Sequence, residues 1–120
     1  MSMSDDILVL DRALALSRVG GDEDRLREIA VLFLDDYPNL VQKIQDALLR
    51  NDAQSLERAS HSLKGSVANF GAEPAYQAAL ELEKIGRSRD LTLAHIAYAG
   101  LEQSLNSLRP ELVALAEGGR

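Results

Sequence analysis

Apolar positions along the chain recur at steps of three and four, and no window shows the period-two alternation of a strand. The pattern predicts helices roughly over 11–19, 23–50, 53–70, 74–86 and 92–116. Asp11 is placed to cap the first, which Gly20-Gly21 stops. Asp22 caps the second, with Glu23 and Asp24 suited to its first turn. The second stripe reads Leu26, Ile29, Phe33, Tyr37, Leu40, Ile44, Leu48 and runs straight through Pro38. Proline removes a backbone bond and crowds the carbonyl four residues back, so a kink or break is expected near 38, at the level of Leu34.

Asn51-Asp52 forms the next turn, Asp52 caps the third helix and Gly71 ends it. Pro74 falls early in the fourth helix, Gly86 closes it, and Arg87-Ser88-Arg89-Asp90 reads as a loop. The last helix carries Leu93, Ile96, Leu101, Leu105, Leu108, Leu112 and Leu115, with a kink expected at Pro110 and a frayed end at Gly118-Gly119-Arg120. Stripes of this kind joined by short loops predict an all-α chain. The expected fold is an antiparallel four-helix bundle with a short extra N-terminal helix, one domain over 1–120.

Composition narrows the core and the partners. Aromatics are only 4% and tryptophan is absent, so Leu, Ala, Ile and Val must fill the interior. A net charge of −6 argues against a nucleic-acid backbone or an anionic membrane as partner, since both require clustered Lys and Arg. The absence of cysteine excludes disulfides and thiolate metal sites. The acidic start, Met1 to Asp6, has no secretory pattern, and no apolar run reaches the roughly 20 residues of a membrane span. A cytoplasmic monomer is the expectation.

The third helix holds the candidate chemistry. At about 100° per residue, Leu56, Ala59, Leu63, Val67 and Phe70 share one face, and His61 points roughly 160° away from its centre, toward solvent. Gly65 and Ala68 follow on the histidine face, and Ala72 extends the line if the helix reaches it. A solvent face normally bears long polar side chains, and glycine inside a helix costs roughly 0.5–1 kcal/mol against alanine. A clear strip beside an imidazole therefore suggests close approach by another molecule. Lys64 lies about 60° to one side, nearly a turn on, and Asn69 flanks the other. Free imidazole, with a pKa of about 6.5, is largely neutral at pH 7 and a good nucleophile. A cation beside it suits phosphoryl transfer, which depends mostly on positioning and charge. No Gly-x-x-x-x-Gly-Lys-Ser/Thr loop is present to draw phosphate from ATP.

Residues 59–72 resemble the signature of histidine-containing phosphotransfer (HPt) domains, His-x-Leu-Lys-Gly-Ser followed by Asn and then Gly-Ala. His61, Leu63, Lys64, Gly65, Ser66, Asn69, Gly71 and Ala72 all match. The segment from Phe33 to Leu49 is similar to the family's preceding helix. The resemblance implies a phosphocarrier: His61 as phosphoacceptor, Lys64 beside the phosphate, Gly65 opening partner access, and Ala68, Asn69 and Ala72 on the partner surface. It also implies receiver domains and a hybrid histidine kinase as partners, with no cofactor on this chain and Mg²⁺ on the receiver. Ser66 falls at the edge of the core face, so local hydrogen bonding suits it better than phosphate contact. Gly71 is a structural motif position.

Other candidates are weaker. His95 sits among Leu93, Ile96 and Ala97 without a small-residue strip, and reads as structural or surface. Two histidines without cysteine make no convincing zinc site, so no metal is expected. Ser60 and Ser62 flank His61 with no acid placed to complete a triad. Asp5-Asp6 and Asp35-Asp36 read as solubility and helix-end charge. Two alternatives stand beside the carrier: a non-catalytic adaptor bundle, and a substrate domain excised from a larger histidine kinase.

Overall fold

The computed structural model describes residues 8–118, so Asp5, Asp6, Gly119 and Arg120 lie outside the described residues. Each expected aspartate cap forms. Asp11 accepts from the Leu14 amide, Asp22 from that of Arg25 and Asp52 from that of Ser55, at 3.0–3.1 Å. Each satisfies a backbone donor that the first helical turn leaves open. The helices they start are α1 (Arg12–Arg18), α2 (Glu23–Arg50) and α3 (Ala53–Ala68), followed by α4 (Glu73–Ser88) and α5 (Ala94–Ala116).

Helices α2 to α5 form the bundle, each packing on two neighbours in the cyclic order α2, α3, α4, α5, while α1 contacts α2. Gln45 donates to the Tyr98 hydroxyl and Arg109 to that of Tyr37, which joins α2 and α5 in antiparallel register. Leu56, Ala59, Leu63, Val67 and Phe70 are all buried. The three-and-four spacing therefore located the core face of the third helix. Gly71 adopts φ +59°, and a side chain there would meet the Asp11 Cβ at 2.7 Å and Leu14 at 2.9 Å. The Asp11 amide donates to the Phe70 carbonyl at 3.0 Å, fastening the start of α1 to the end of α3. Among the described residues no helix is long and apolar enough to cross a membrane.

Four local expectations are corrected. The break at Pro38 does not occur, because α2 runs as one 28-residue helix through it. Leu26, Ala30 and Phe33 before the proline and Ile44, Ala47 and Leu48 after it are all buried. Packing both halves into one core outweighs the roughly 3 kcal/mol cost of an internal proline. The third helix ends at Ala68 rather than 70, with Asn69 as its C-cap. The fifth begins at Ala94 rather than Thr92, since Thr92 bonds back to Asp90 through both its amide and its hydroxyl.

The fourth correction matters most for the site. Gly86 does not close its helix. Helix α4 continues to Ser88 and caps at Arg89 in the left-handed conformation, so Arg87 and Ser88 are helical. Gly86 is instead a point of close approach of α4 to α3: an added Cβ would lie 2.7 Å from the Glu57 amide nitrogen and 2.9 Å from the Ala53 carbonyl oxygen. Gly86→Ala gains roughly 0.5–1 kcal/mol of helix propensity, but overpacking against backbone typically costs about 1–3 kcal/mol. A net loss of about 1 kcal/mol is expected in denaturant unfolding, and an unchanged midpoint would show that the crossing relaxes freely.

Candidate functional site

His61 sits in the middle of α3, its side chain 67% exposed. Its ring is held from α4: Nδ1 lies 2.8 Å from Oε2 of Glu83, whose side chain is only 4% exposed. Lys64, one turn along α3, brings Nζ to 2.7 Å from Glu83 Oε1. That approach is a contact ion pair off the hydrogen-bonding direction, since Oε1 has no aligned donor. Arg87, one turn beyond Glu83 on α4, donates Nη2 to Glu83 Oε2 at 3.0 Å and Nε to Glu57 Oε2 at 3.1 Å. One buried carboxylate thus gathers an imidazole, an ammonium and a guanidinium.

The close crossing at Gly86 makes this reach possible. Glu57 and His61 are one turn apart on α3, Gly86 and Glu83 one turn apart on α4, and the helices run in opposite directions. Burial by itself would push the Glu83 carboxyl up; the close Lys64 ammonium and the His61 contact outweigh it and hold the group below the ordinary value of 4.5. Glu83 is therefore a carboxylate at neutral pH, with acceptors only. The hydrogen in its bond to His61 must come from Nδ1, which in the neutral ring leaves Nε2 with the free lone pair.

A carboxyl held more acidic in the folded state than in the unfolded chain stabilises the fold above about pH 4.5, and this contribution is lost as the pH falls through the folded value. The stability difference between wild type and Glu83→Gln should accordingly shrink on acidification. Urea midpoints followed from about pH 7 to about pH 3 test it. A constant difference would remove Glu83 from the acid response.

Gly65 is exposed, and a Cβ added there would meet nothing within 4 Å, so no neighbouring helix requires a glycine at this point. Ala68 is half-buried and Asn69 exposed, continuing the small surface beyond the ring. Ala72 does not continue it. The helix has already ended, and Ala72 precedes α4 at 1% exposure, a core residue rather than part of an accessible surface. Ser66 is half-buried. It lines an open groove between α2 and α3 with Asn69, Leu32, Asp35 and Asp36. The two aspartates thus lie within α2 and not at its end. Ser60 is fully buried with no partner for its hydroxyl, and His95 is exposed at the start of α5.

Glu83 is the residue that sequence reasoning missed. A signal was present: Ala75, Ala79, Leu82 and Gly86 are buried at helical spacing, and Glu83 falls in phase with them. An acid in a core stripe needs a partner, because an isolated buried charge is costly.

The site is thus an exposed imidazole anchored to a buried carboxylate on the face of a helical bundle. The model of the Hpt domain family matches residues 28–111, and the chain belongs to that family. The crystal structure of histidine-containing phosphotransfer protein B (HptB) from Pseudomonas aeruginosa PAO1 is similar, with a TM-score of 0.84 and 26% sequence identity over 93% of this chain and 97% of that one. No curated protein matches. Histidine phosphotransfer in phosphorelay signalling is thus the function of this chain, as a phosphocarrier and not a kinase core, and Hpt domains interact with receiver domains of two-component systems.

Proposed function

We propose that His61 is the phosphoacceptor. It takes a phosphoryl group from a receiver-domain aspartate, or from a hybrid histidine kinase, and passes it to a second receiver aspartate. The observation that carries this reading is an imidazole 67% exposed with Nδ1 already engaged, beside an open Gly65. Nε2 is then the attacking atom, and a partner backbone can approach over Gly65, Ala68 and Asn69. The partner receiver brings the Mg²⁺ and the acceptor aspartate; this chain acts as a cytoplasmic monomer and draws no phosphate from ATP itself. Incubation with a phosphorylated receiver domain, followed by peptide mapping of acid-labile phosphate, tests the assignment. Phosphate on any residue other than His61 would overturn it.

Lys64 shares its ammonium between Glu83 and the incoming phosphoryl oxygens. One positioned charge is typically worth on the order of 1–3 kcal/mol. Lys64→Ala is expected to slow transfer by about tenfold or more, and also to destabilise the fold, since Glu83 loses a partner. A transfer rate unchanged across a range of salt concentrations would make Lys64 a partner of Glu83 alone.

A further inference from the structure

The two flanks of His61 on α3 differ. On one, Glu57 and Lys64 are tied to α4 by ion pairs. On the other, Arg58, Ser62, Ser66 and Asn69 face α2 across an open groove, and the charges of that groove are divided. Toward the start of α3 it is lined by Lys43, Arg50 and Arg58, all exposed and in no ion pair among the described residues. The one acid lining this half is Asp46, whose carboxylate accepts from Gln42. Asp52, held by Ser55 at the cap of α3, also feels Arg50 and Arg58. Toward the end of α3 the lining holds the exposed Asp35 and Asp36 and no cation.

We propose that this charge-split groove selects the receiver and sets its orientation, taking one whose acidic edge lies over Lys43 and Arg58 and whose basic edge lies over Asp35 and Asp36. The inference rests on His61 being the phosphoacceptor.

In-line transfer fixes a line through Nε2, phosphorus and the leaving oxygen, but a docked receiver can still turn about that line. Gly65 and Ala68 admit a partner without preferring any one angle, since neither side chain carries a polar group. Charges set off the line do prefer one. Arg58 and Asn69 stand 11 positions apart on α3 with His61 between them, roughly 16 Å along the axis. That exceeds the Debye length of about 10 Å at 0.1 M salt, so a partner meets two separate fields and not a cancelled pair.

The chemistry of the partner gives the sign. A receiver that supplies an acceptor aspartate and holds Mg²⁺ on carboxylates carries an acidic edge beside the transferred group. That edge is drawn to Lys43 and Arg58, although the chain as a whole has a net charge of −6. Turned by half a circle, it would face Asp35 and Asp36. Like charges so placed disfavour a wrong pose and a wrong partner alike, and rim charges act mainly on the rate of association.

The test inverts the groove. Lys43→Glu, Arg58→Glu, Asp35→Lys and Asp36→Lys are combined in the full chain, which leaves the net charge unchanged because gains and losses are equal. The probe is a receiver domain phosphorylated with acetyl phosphate, and melting verifies the fold. At about 0.05 M salt kcat/KM is expected to fall by about tenfold or more, with the loss carried by KM and kcat kept within about twofold. The gap should close toward about 1 M salt, where the Debye length is about 3 Å. The neutral set Lys43→Gln, Arg58→Gln, Asp35→Asn and Asp36→Asn should show a smaller loss of about threefold with the same closure, and it decides the matter if the inverted chain does not fold. Equal kcat/KM at low salt overturns the proposal, as does a loss in kcat that persists at high salt. A wild type that accepts no phosphate on His61 would sink the relay reading and this one with it, whereas equal transfer by wild type and variant overturns the groove alone.

Discussion

His61→Gln is expected to leave a folded bundle that takes up no acid-labile phosphate, whereas His95→Gln is phosphorylated at the wild-type rate. The replaced ring is mostly solvent-exposed, so little packing is lost. The glutamine amide can still donate to Glu83, which keeps the buried carboxylate partnered. What disappears is the ring nitrogen lone pair, and no other described group lies at the centre of the cluster to replace it. His95 is exposed at the start of α5 and belongs to none of the ion pairs. Circular dichroism verifies the fold, and labelled phosphate from a phosphorylated receiver reads the chemistry. Uptake by the His61 variant would overturn the site, and loss in the His95 variant would point to a second acceptor.

Gly65→Leu is expected to preserve or raise the melting temperature while lowering transfer by on the order of a hundredfold. Glycine is the poorer helix former by roughly 0.5–1 kcal/mol, and an added Cβ meets nothing within 4 Å. The same side chain stands one turn from the ring, on the surface a partner must approach. A displacement of even about 1 Å can cost on the order of a hundredfold in a positioned reaction. Gly86 provides the contrast, since its added Cβ strikes the backbone of α3 and should cost stability. Melting and transfer measured on one Gly65 variant separate the two kinds of glycine. A destabilised but fully active Gly65→Leu would show that partners do not use the strip.

The periodicity of the third helix was enough to place His61, Gly65 and Lys64. Helical spacing is a property of neighbours three and four apart, and the buried set from Leu56 to Phe70 leaves the histidine outside. The caps at Asp11, Asp22 and Asp52 were legible for the same reason, since each acts on an amide three residues ahead. Ala72 was misplaced because the strip was extended past a helix end that the Asn69–Gly71 turn brings forward.

Tertiary structure decided what depends on which helices meet and how closely. Gly86 carries a local stop signal, but its role is set by the backbone of α3, 29 residues earlier in the chain at Glu57. Pro38 carries a local break signal, overridden by the core that both halves of α2 share. Lys64 reads as a free ammonium on the surface until α4 supplies the carboxylate that holds it. Glu83, 22 positions from His61, becomes part of the site only when the crossing at Gly86 brings the two helices together. The sequence by itself determined which face of α3 is buried and that the imidazole is presented to solvent, because those follow from spacing along one helix; in the last helix the same stripe fails at Leu93 and Ile96, which are exposed. Which ring nitrogen is held, and by what charge, depends on a contact between two helices, and periodicity along one helix carries no information about the distance to the next.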